Sequence, residues 1–236
     1  MIKRSEIQKI VDNYDGLRIA VLGSHSALEI MDGAKDEGLS TIVFCQKGRE
    51  TPYQRFDRIA DEIKVLKKFG DMSSVKNQKM LRNTNTIIVP HRALTAYLGY
   101  DVIENSLNVP IFGNRALFQA EERNNKKNQY YLLKKAGIKY PKIFKNPKDI
   151  NKPAIVKVQE KKRKLERAFF TVSSFSDYKK KSADKIKQGT IAKTDLQNAT
   201  IEQLAIGTYL NFNYFHTPIS KNVDFIGIER RLQTNI

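Results

Sequence analysis

Apolar positions along the chain follow two spacings, and the alternation between them sets out the elements. Ile7, Ile10 and Val11 recur at helical spacing, which predicts a helix over residues 5–13 with Ser5 as its cap. Residues 17–22 form a short apolar run that ends in Gly23-Ser24-His25-Ser26. That pattern reads as a buried strand entering a tight turn. Leu28, Ile30, Met31 and Ala34 predict a helix over 27–37, closing at Gly38. Further strands are expected at 41–45, 59–65 and 86–89, with helical stretches between them. Strands alternating with helices imply parallel βαβ units, which place ligands at the carboxyl ends of the strands.

A second region begins near Gly113. Residues 124–136 read as a helix with Tyr130, Tyr131, Leu132 and Leu133 as its apolar surface, ending at Gly137. Residues 154–158 form a strand with one lysine, Lys157, in an apolar setting, and 168–172 are its expected partner. The basic run Lys161-Lys162-Arg163-Lys164 between them reads as a hairpin loop. Residues 200–204 begin a third stretch, and the polar–aromatic alternation of 209–215 suits a half-buried strand with 224–232 as its hairpin partner. The expected domains are 1–112, a parallel α/β unit; 113–200, a basic small lobe; and 201–236, the start of a further lobe. The chain stops while still in a strand pattern, so it is expected to be a fragment or to be completed in trans.

Composition narrows the function classes. The 236 residues are 40% hydrophobic and 28% charged, a globular mix. No apolar run approaches the roughly 20 residues of a membrane helix, and the first residues hold no apolar leader, so a cytoplasmic location is expected. The single cysteine, Cys45, excludes an internal disulfide framework, and with three histidines it gives no zinc-like spacing. The net charge of +17 is uneven. Residues 1–112 carry 16 basic and 14 acidic side chains, 113–200 carry 23 and 8, and 201–236 carry 3 of each. A basic middle segment attracts phosphate groups on a nucleotide, a nucleic acid or a membrane; its bland alternative is a solvated face.

Four clusters carry candidate chemistry. A strand–turn–helix joint at Gly23-Ser24-His25-Ser26 offers backbone N–H groups and two hydroxyls to an anion. Pro90-His91-Arg92-Ala93 follows another strand, and a parallel sheet would bring it to the same edge as His25. Lys157 either points to solvent or is desolvated beside an anion, for which a nucleotide phosphate would serve. Glu202-Gln203-Leu204-Ala205 reads as a link between two lobes whose backbone could meet an adenine edge.

Taken together, these residues resemble the archaeal formate-dependent 5-formaminoimidazole-4-carboxamide ribonucleotide (FAICAR) synthetases, a purine-biosynthetic branch of the ATP-grasp ligases. The resemblance rests on Gly23-Ser24-His25-Ser26-Ala27-Leu28, Gly33-Ala34-Lys35-Asp36-Glu37-Gly38, Lys47-Gly48-Arg49-Glu50-Thr51-Pro52-Tyr53, Pro90-His91, Tyr97-Leu98-Gly99 and Phe112-Gly113-Asn114-Arg115. It continues through Lys134-Lys135-Ala136-Gly137-Ile138, Asn213-Tyr214-Phe215, Glu229-Arg230-Arg231 and Thr234-Asn235. It implies an α/β ATP-grasp architecture, with an N-terminal parallel βαβ domain followed by an incomplete α+β module. It implies that ATP phosphorylates formate and that the amino group of the aminoimidazole carboxamide ribonucleotide (AICAR) attacks the formyl phosphate, with Mg²⁺ or Mn²⁺ as the cofactor ion. By resemblance, Ser24, His25, Ser26, Arg92, Ala93, Thr95, Arg231 and Asn235 meet the ribonucleotide. Lys157, Lys161, Arg163, Glu202, Gln203 and Leu204 meet ATP. No residue is assigned a catalytic role.

The chain departs from the family in three ways. Residues 151–188 hold no glycine, so Lys and Arg side chains would stand in for a glycine-rich phosphate loop. Ala93 stands where a hydroxyl is expected. Residues 201–236 contain only Glu202, Asp224 and Glu229 as acids, so no metal ligand is assigned and the chain alone is expected to lack ligase activity. The expected partners are AICAR, formate and ATP, with a homo-oligomer in keeping with the family. The alternative from the binding class is a non-catalytic nucleotide- or nucleic-acid-binding protein on the same scaffold; within the enzyme class, it is a ligase for another carboxylate.

Overall fold

The computed structural model describes residues 1–121, 125–158, 169–216 and 222–230. The chain divides into two units, Met1–Glu121 and Glu122–Ile236.

The first unit is built on four parallel strands: β1 (Arg18–Leu22), β2 (Ser40–Gln46), β3 (Glu62–Leu66) and β4 (Thr86–Ile88), in the order β3-β2-β1-β4. The two-residue period of a strand sends alternate side chains to opposite faces. Ala20, Leu22, Ile42, Phe44, Leu66 and Ile88 enter one core with Phe69, Met72, Leu81, Leu94 and Ile103. Ile19, Val21, Val43 and Cys45 enter a second core with Ala27, Met31, Tyr53 and Ile59. Both faces are covered at β1 and β2, which is why these two strands read as continuous apolar runs rather than alternating ones. The covering helices are α1 (Arg4–Val11), α2 (Ala27–Asp36), α3 (Thr51–Arg55), α4 (Val75–Asn83) and α5 (Arg92–Leu98).

Two local expectations are corrected. Helix α1 begins one residue before Ser5, with Lys3 at the cap position and no side-chain cap. The expected strand at 59–65 begins at Glu62, because Asp57–Ile59 form a 3₁₀ turn and the Asp61 carboxylate accepts from the Thr41 N–H at 2.7 Å and from Lys35 at 2.8 Å. Those bonds tie the chain to β2 just before the ladder starts. The unit also runs past residue 112. Arg115 donates to the carbonyls of Ile103 (2.6 Å), Leu107 (2.7 Å) and Val109 (2.8 Å), closing the π-helical turn Val102–Ser106.

The second unit holds an antiparallel sheet of β5 (Ile143–Phe144), β6 (Ala154–Lys157), β7 (Phe170–Val172) and β8 (Thr200–Gln203), ordered β5-β8-β6-β7. One face packs Phe144, Ala154, Val156, Phe170, Val172 and Ile201 into a core. Helices α6 (Gln129–Lys135), α7 (Phe175–Lys187) and α8 (Lys193–Gln197) complete the regular structure up to β8. Helix α6 starts at Gln129, later than the expected 124, because the Asn128 side chain accepts from the Tyr131 N–H at 3.1 Å and caps it there. Strands β6 and β7 pair as expected, while the basic run between them, with Lys161 and Arg163, lies outside the described residues. Strand β8 crosses the expected boundary at 200/201 and is central in the sheet. Strands β9 (Asn211–His216) and β10 (Val223–Glu229) form a separate antiparallel pair with an irregularity between Phe225 and Gly227. The β9 side chains are all exposed, so the half-buried expectation for 209–215 does not hold here. The described residues of this unit give β9 only β10 as a strand partner.

Candidate functional site

The carboxyl ends of the parallel strands gather one polar cluster. Gly23 ends β1 where only a hydrogen fits. A Cβ there would lie 2.8 Å from Cys45 Sγ, 3.0 Å from Tyr53 Cε2 and 3.1 Å from the Phe44 carbonyl oxygen. Burial pushes the Cys45 thiol up to about 12, with Glu50 adding to it, so this cysteine packs as an apolar side chain. His25 follows with a left-handed backbone, φ +48°, uncommon for a residue with a side chain. Its Nδ1 lies 2.6 Å from Ser26 Oγ. The N–H groups of Gly23, Ser24 and Ala27 are spent on the carbonyls of Phe44, Leu22 and Ser24, so fewer backbone donors are open to an anion than the loop sequence suggested.

The second loop reaches the first through His91. His91 caps α5: its Nδ1 accepts from the Ala93 N–H at 3.3 Å, and Nε2 lies 2.9 Å from the Leu22 carbonyl oxygen. A backbone N–H can only donate, so Nδ1 carries no proton and Nε2–H donates to Leu22. Burial holds this imidazole below its ordinary value; the Leu22 bond opposes that shift and His25 adds to it. The two rings are stacked, with centroids 6.0 Å apart and an 18° interplanar angle. The sequence therefore located the loop, but the residue that joins its two halves is His91, which was not among the site residues assigned. Its signal was its position before a helix at the end of a strand. Arg92 opens α5, Ala93 is buried, and Thr95 Oγ1 donates to the Arg92 carbonyl at 3.0 Å. Beside this loop, Arg49 lies 3.4 Å from the Tyr97 hydroxyl and 5.7 Å from the Phe69 ring centroid.

The second unit carries a different polar centre on the sheet face away from its core. Register pairs Glu202 with Ile155 and Thr200 with Lys157, so Lys157, Ile155 and Glu202 share that face. Lys157 Nζ lies 2.5 Å from Glu202 Oε1, with the lysine side chain 22% and the glutamate side chain 5% exposed. The anion that desolvates Lys157 is thus the protein's own carboxylate. The same oxygen accepts from the Tyr130 hydroxyl of α6 at 2.6 Å. The N–H groups of Gln203 and Leu204 donate to the carbonyls of Lys142 and Pro153, both at 2.8 Å. The helical pattern places Tyr130 on an apolar surface, and nothing local to it marks a partner 72 residues away. Arg231 and Asn235 lie outside the described residues. Among the described residues, no three His, Cys, Asp or Glu side chains are grouped to hold a metal ion. No helix among them is long and apolar enough to cross a membrane.

Comparison with known proteins bears on both units. Residues 19–144 match the model described as "Protein of unknown function (DUF1246)", and 177–236 match "Domain of unknown function (DUF1297)". Proteins named 5-formaminoimidazole-4-carboxamide-1-(beta)-D-ribofuranosyl 5'-monophosphate synthetase are similar over the whole chain: that of Methanopyrus kandleri at 42% identity and that of Methanocaldococcus jannaschii at 39%. The chain spans 65% and 64% of those two curated relatives. Among solved structures, an IMP biosynthesis protein PurP from Thermococcus kodakaraensis superposes with a TM-score of 0.61 at 24% identity, covering 92% of this chain and 60% of that one. An N5-carboxyaminoimidazole synthase from Aspergillus clavatus, in complex with ADP and 5-aminoimidazole ribonucleotide, gives 0.58 at 14% identity, covering 93% and 54%. The fold is the ATP-grasp fold: a parallel α/β unit followed by an antiparallel α+β unit.

Proposed function

The chain belongs to the DUF1246 family, and from that footing we propose that it serves an ATP- and formate-dependent ligase that formylates AICAR to FAICAR in IMP biosynthesis. The observation that carries the reading is similarity over every residue of the chain to proteins named for making that product. The geometry of both units supports it. ATP would transfer its γ-phosphoryl group to a formate oxygen, giving formyl phosphate and ADP. The 5-amino nitrogen of AICAR would then attack the formyl carbon, lose a proton and expel phosphate. Such a reaction asks for positioning and charge stabilisation rather than a covalent enzyme intermediate.

The first unit would bind the ribonucleotide. With Nδ1 of His25 engaged by Ser26, Nε2 is the ring atom left for the substrate. Ser24, Arg92, Thr95 and the backbone of Ala93 would complete this end; Arg231 and Asn235, assigned to the same ligand by resemblance, lie outside the described residues. The second unit would bind ATP, with Lys157 on its phosphates and the backbone, not the side chains, of residues 202–204 beside the adenine; Lys161 and Arg163 would supply further charge. On this reading Met1–Glu121 is the ribonucleotide unit and the ATP-binding unit begins at Glu122, with β8 inside its sheet. Mg²⁺ or Mn²⁺ would supply charge neutralisation to ATP when bound, and no residue described here is assigned to hold it. We place the protein in the cytoplasm and expect it to work as a homo-oligomer.

Calorimetry with AICAR and with Mg²⁺-ATP tests the reading. Saturable AICAR binding that His25→Ala weakens at least tenfold is the expected result. No AICAR binding by the unaltered chain, together with tight binding of a short DNA duplex, would overturn it in favour of a nucleic-acid-binding module.

A further inference from the structure

We propose that Tyr130 is a positioning residue that keeps Glu202 paired while Lys157 turns away to meet a nucleotide phosphate. The inference rests on the ATP-binding reading above. Its starting point is one carboxylate oxygen, Glu202 Oε1, with two donors at short range: Lys157 Nζ at 2.5 Å and the Tyr130 hydroxyl at 2.6 Å. The two donors differ in freedom. Lys157 is the last residue of β6 and its side chain is partly exposed, so its flexible stem can carry the ammonium elsewhere. Tyr130 is buried on α6, and its ring packs at 5.8 Å from that of Tyr140. Its hydroxyl stays where it is.

Glu202 cannot follow the lysine, because β8 is held between β5 and β6. Without Tyr130, a departing ammonium would leave a carboxylate buried with neither of these donors. Removing one partner of a buried charge costs far more than the pair itself contributes. Glu202 would then keep Lys157, and a phosphate would have to compete for it. With Tyr130 present, Glu202 retains a charge-assisted hydrogen bond in both states, and the lysine is free to move. Tyr130 thus sets how readily Lys157 is released, without itself meeting the nucleotide.

The test is a cycle of variants of the full chain, titrated with Mg²⁺-ATP in the calorimeter and checked for folding by their urea unfolding midpoints. Tyr130→Phe keeps the ring and removes the hydroxyl; it is expected to weaken ATP binding about tenfold. Glu202→Gln added to that variant replaces the carboxylate with a neutral amide that no longer holds an ammonium, and it is expected to restore most of the affinity. A merely structural role for Tyr130 would not be rescued in this way. ATP binding by Tyr130→Phe equal to that of the unaltered chain would overturn the inference, as would a double variant as weak as the single one. Failure of the unaltered chain to bind ATP would overturn the ATP site itself, and this inference with it.

Discussion

At the scale of single residues, the parallel sheet's polar edge depends on small atoms and fixed protons. Gly23 lets β1 end against Cys45 and Tyr53, and this close approach brings the His25 turn over β2. His91 then joins two loops as a neutral ring, accepting at Nδ1 and donating at Nε2. This has a pH consequence. Burial keeps the folded imidazole below its ordinary value, whereas in the unfolded chain it titrates near 6.5. As pH falls through about 6.5, the unfolded state takes up the proton first, so stability present above that value is lost on acidification. The urea unfolding midpoint of the first unit should therefore fall between pH 7.5 and 5.5, and the fall should shrink in His91→Gln. An unchanged fall in the variant would assign the effect to other groups. Asp61 acts in a lower window. Burial raises it, but Lys35 and Thr41 outweigh that and hold it below the usual carboxylate range, so its contribution is lost only in more acid solution.

At the scale of elements, helix α7 shows how local chemistry fixes a boundary that the sheet then uses. Ser174 Oγ accepts from the Asp177 N–H at 3.1 Å, and the Asp177 carboxylate accepts from the Ser173 N–H at 2.9 Å. Lys181, one turn on, meets Asp177 at 3.1 Å and donates to the Thr171 carbonyl of β7 at 2.9 Å. The cap therefore sets where α7 starts and also ties it to the sheet edge. Ser174→Ala should destabilise the second unit by about 1 kcal/mol, measured as a lower urea midpoint in a probe specific to that unit; no change would show that the cap is dispensable. Strand alternation does the same for function in β6. Ala154 and Val156 face the core, while Ile155 and Lys157 face the other side. A lysine in an apolar run is therefore no anomaly, since it sits at the end of the run on the face that also carries Glu202.

At the scale of the whole molecule, the net charge of +17 has two readings, and salt separates them. A small phosphomonoester such as AICAR meets the protein at one point, so its affinity should change only mildly with salt through Debye screening. A duplex bound across the basic segment would lose affinity with a log–log slope of about −0.9 for each phosphate contacted. We expect AICAR binding to persist between 50 and 200 mM salt, values on the scale over which nucleic-acid contacts weaken sharply, and DNA binding to collapse over the same range. DNA binding that stays tight at the upper value would favour the nucleic-acid module.

The sequence by itself determined the parallel βαβ strands of the first unit, the pairing of 154–158 with 168–172, the turn at His25 and the strand that carries Lys157. These follow from hydrophobic period and turn residues, which act over a few positions. It also held the ordered motifs that carry the resemblance behind the proposed function. Where it went astray, a side-chain hydrogen bond had intervened: Asp61 bonds back to β2, and Asn128 caps α6 after its expected start. Only the tertiary structure decided what each functional side chain meets. Strand β8 inserts between β5 and β6, and that order places Glu202 beside Lys157. Tyr130 reaches the same oxygen across 72 positions, and His91 reaches Leu22 across 69. Local pattern carries no record of such partners, because it fixes which face a residue occupies and not which strand or helix will stand opposite.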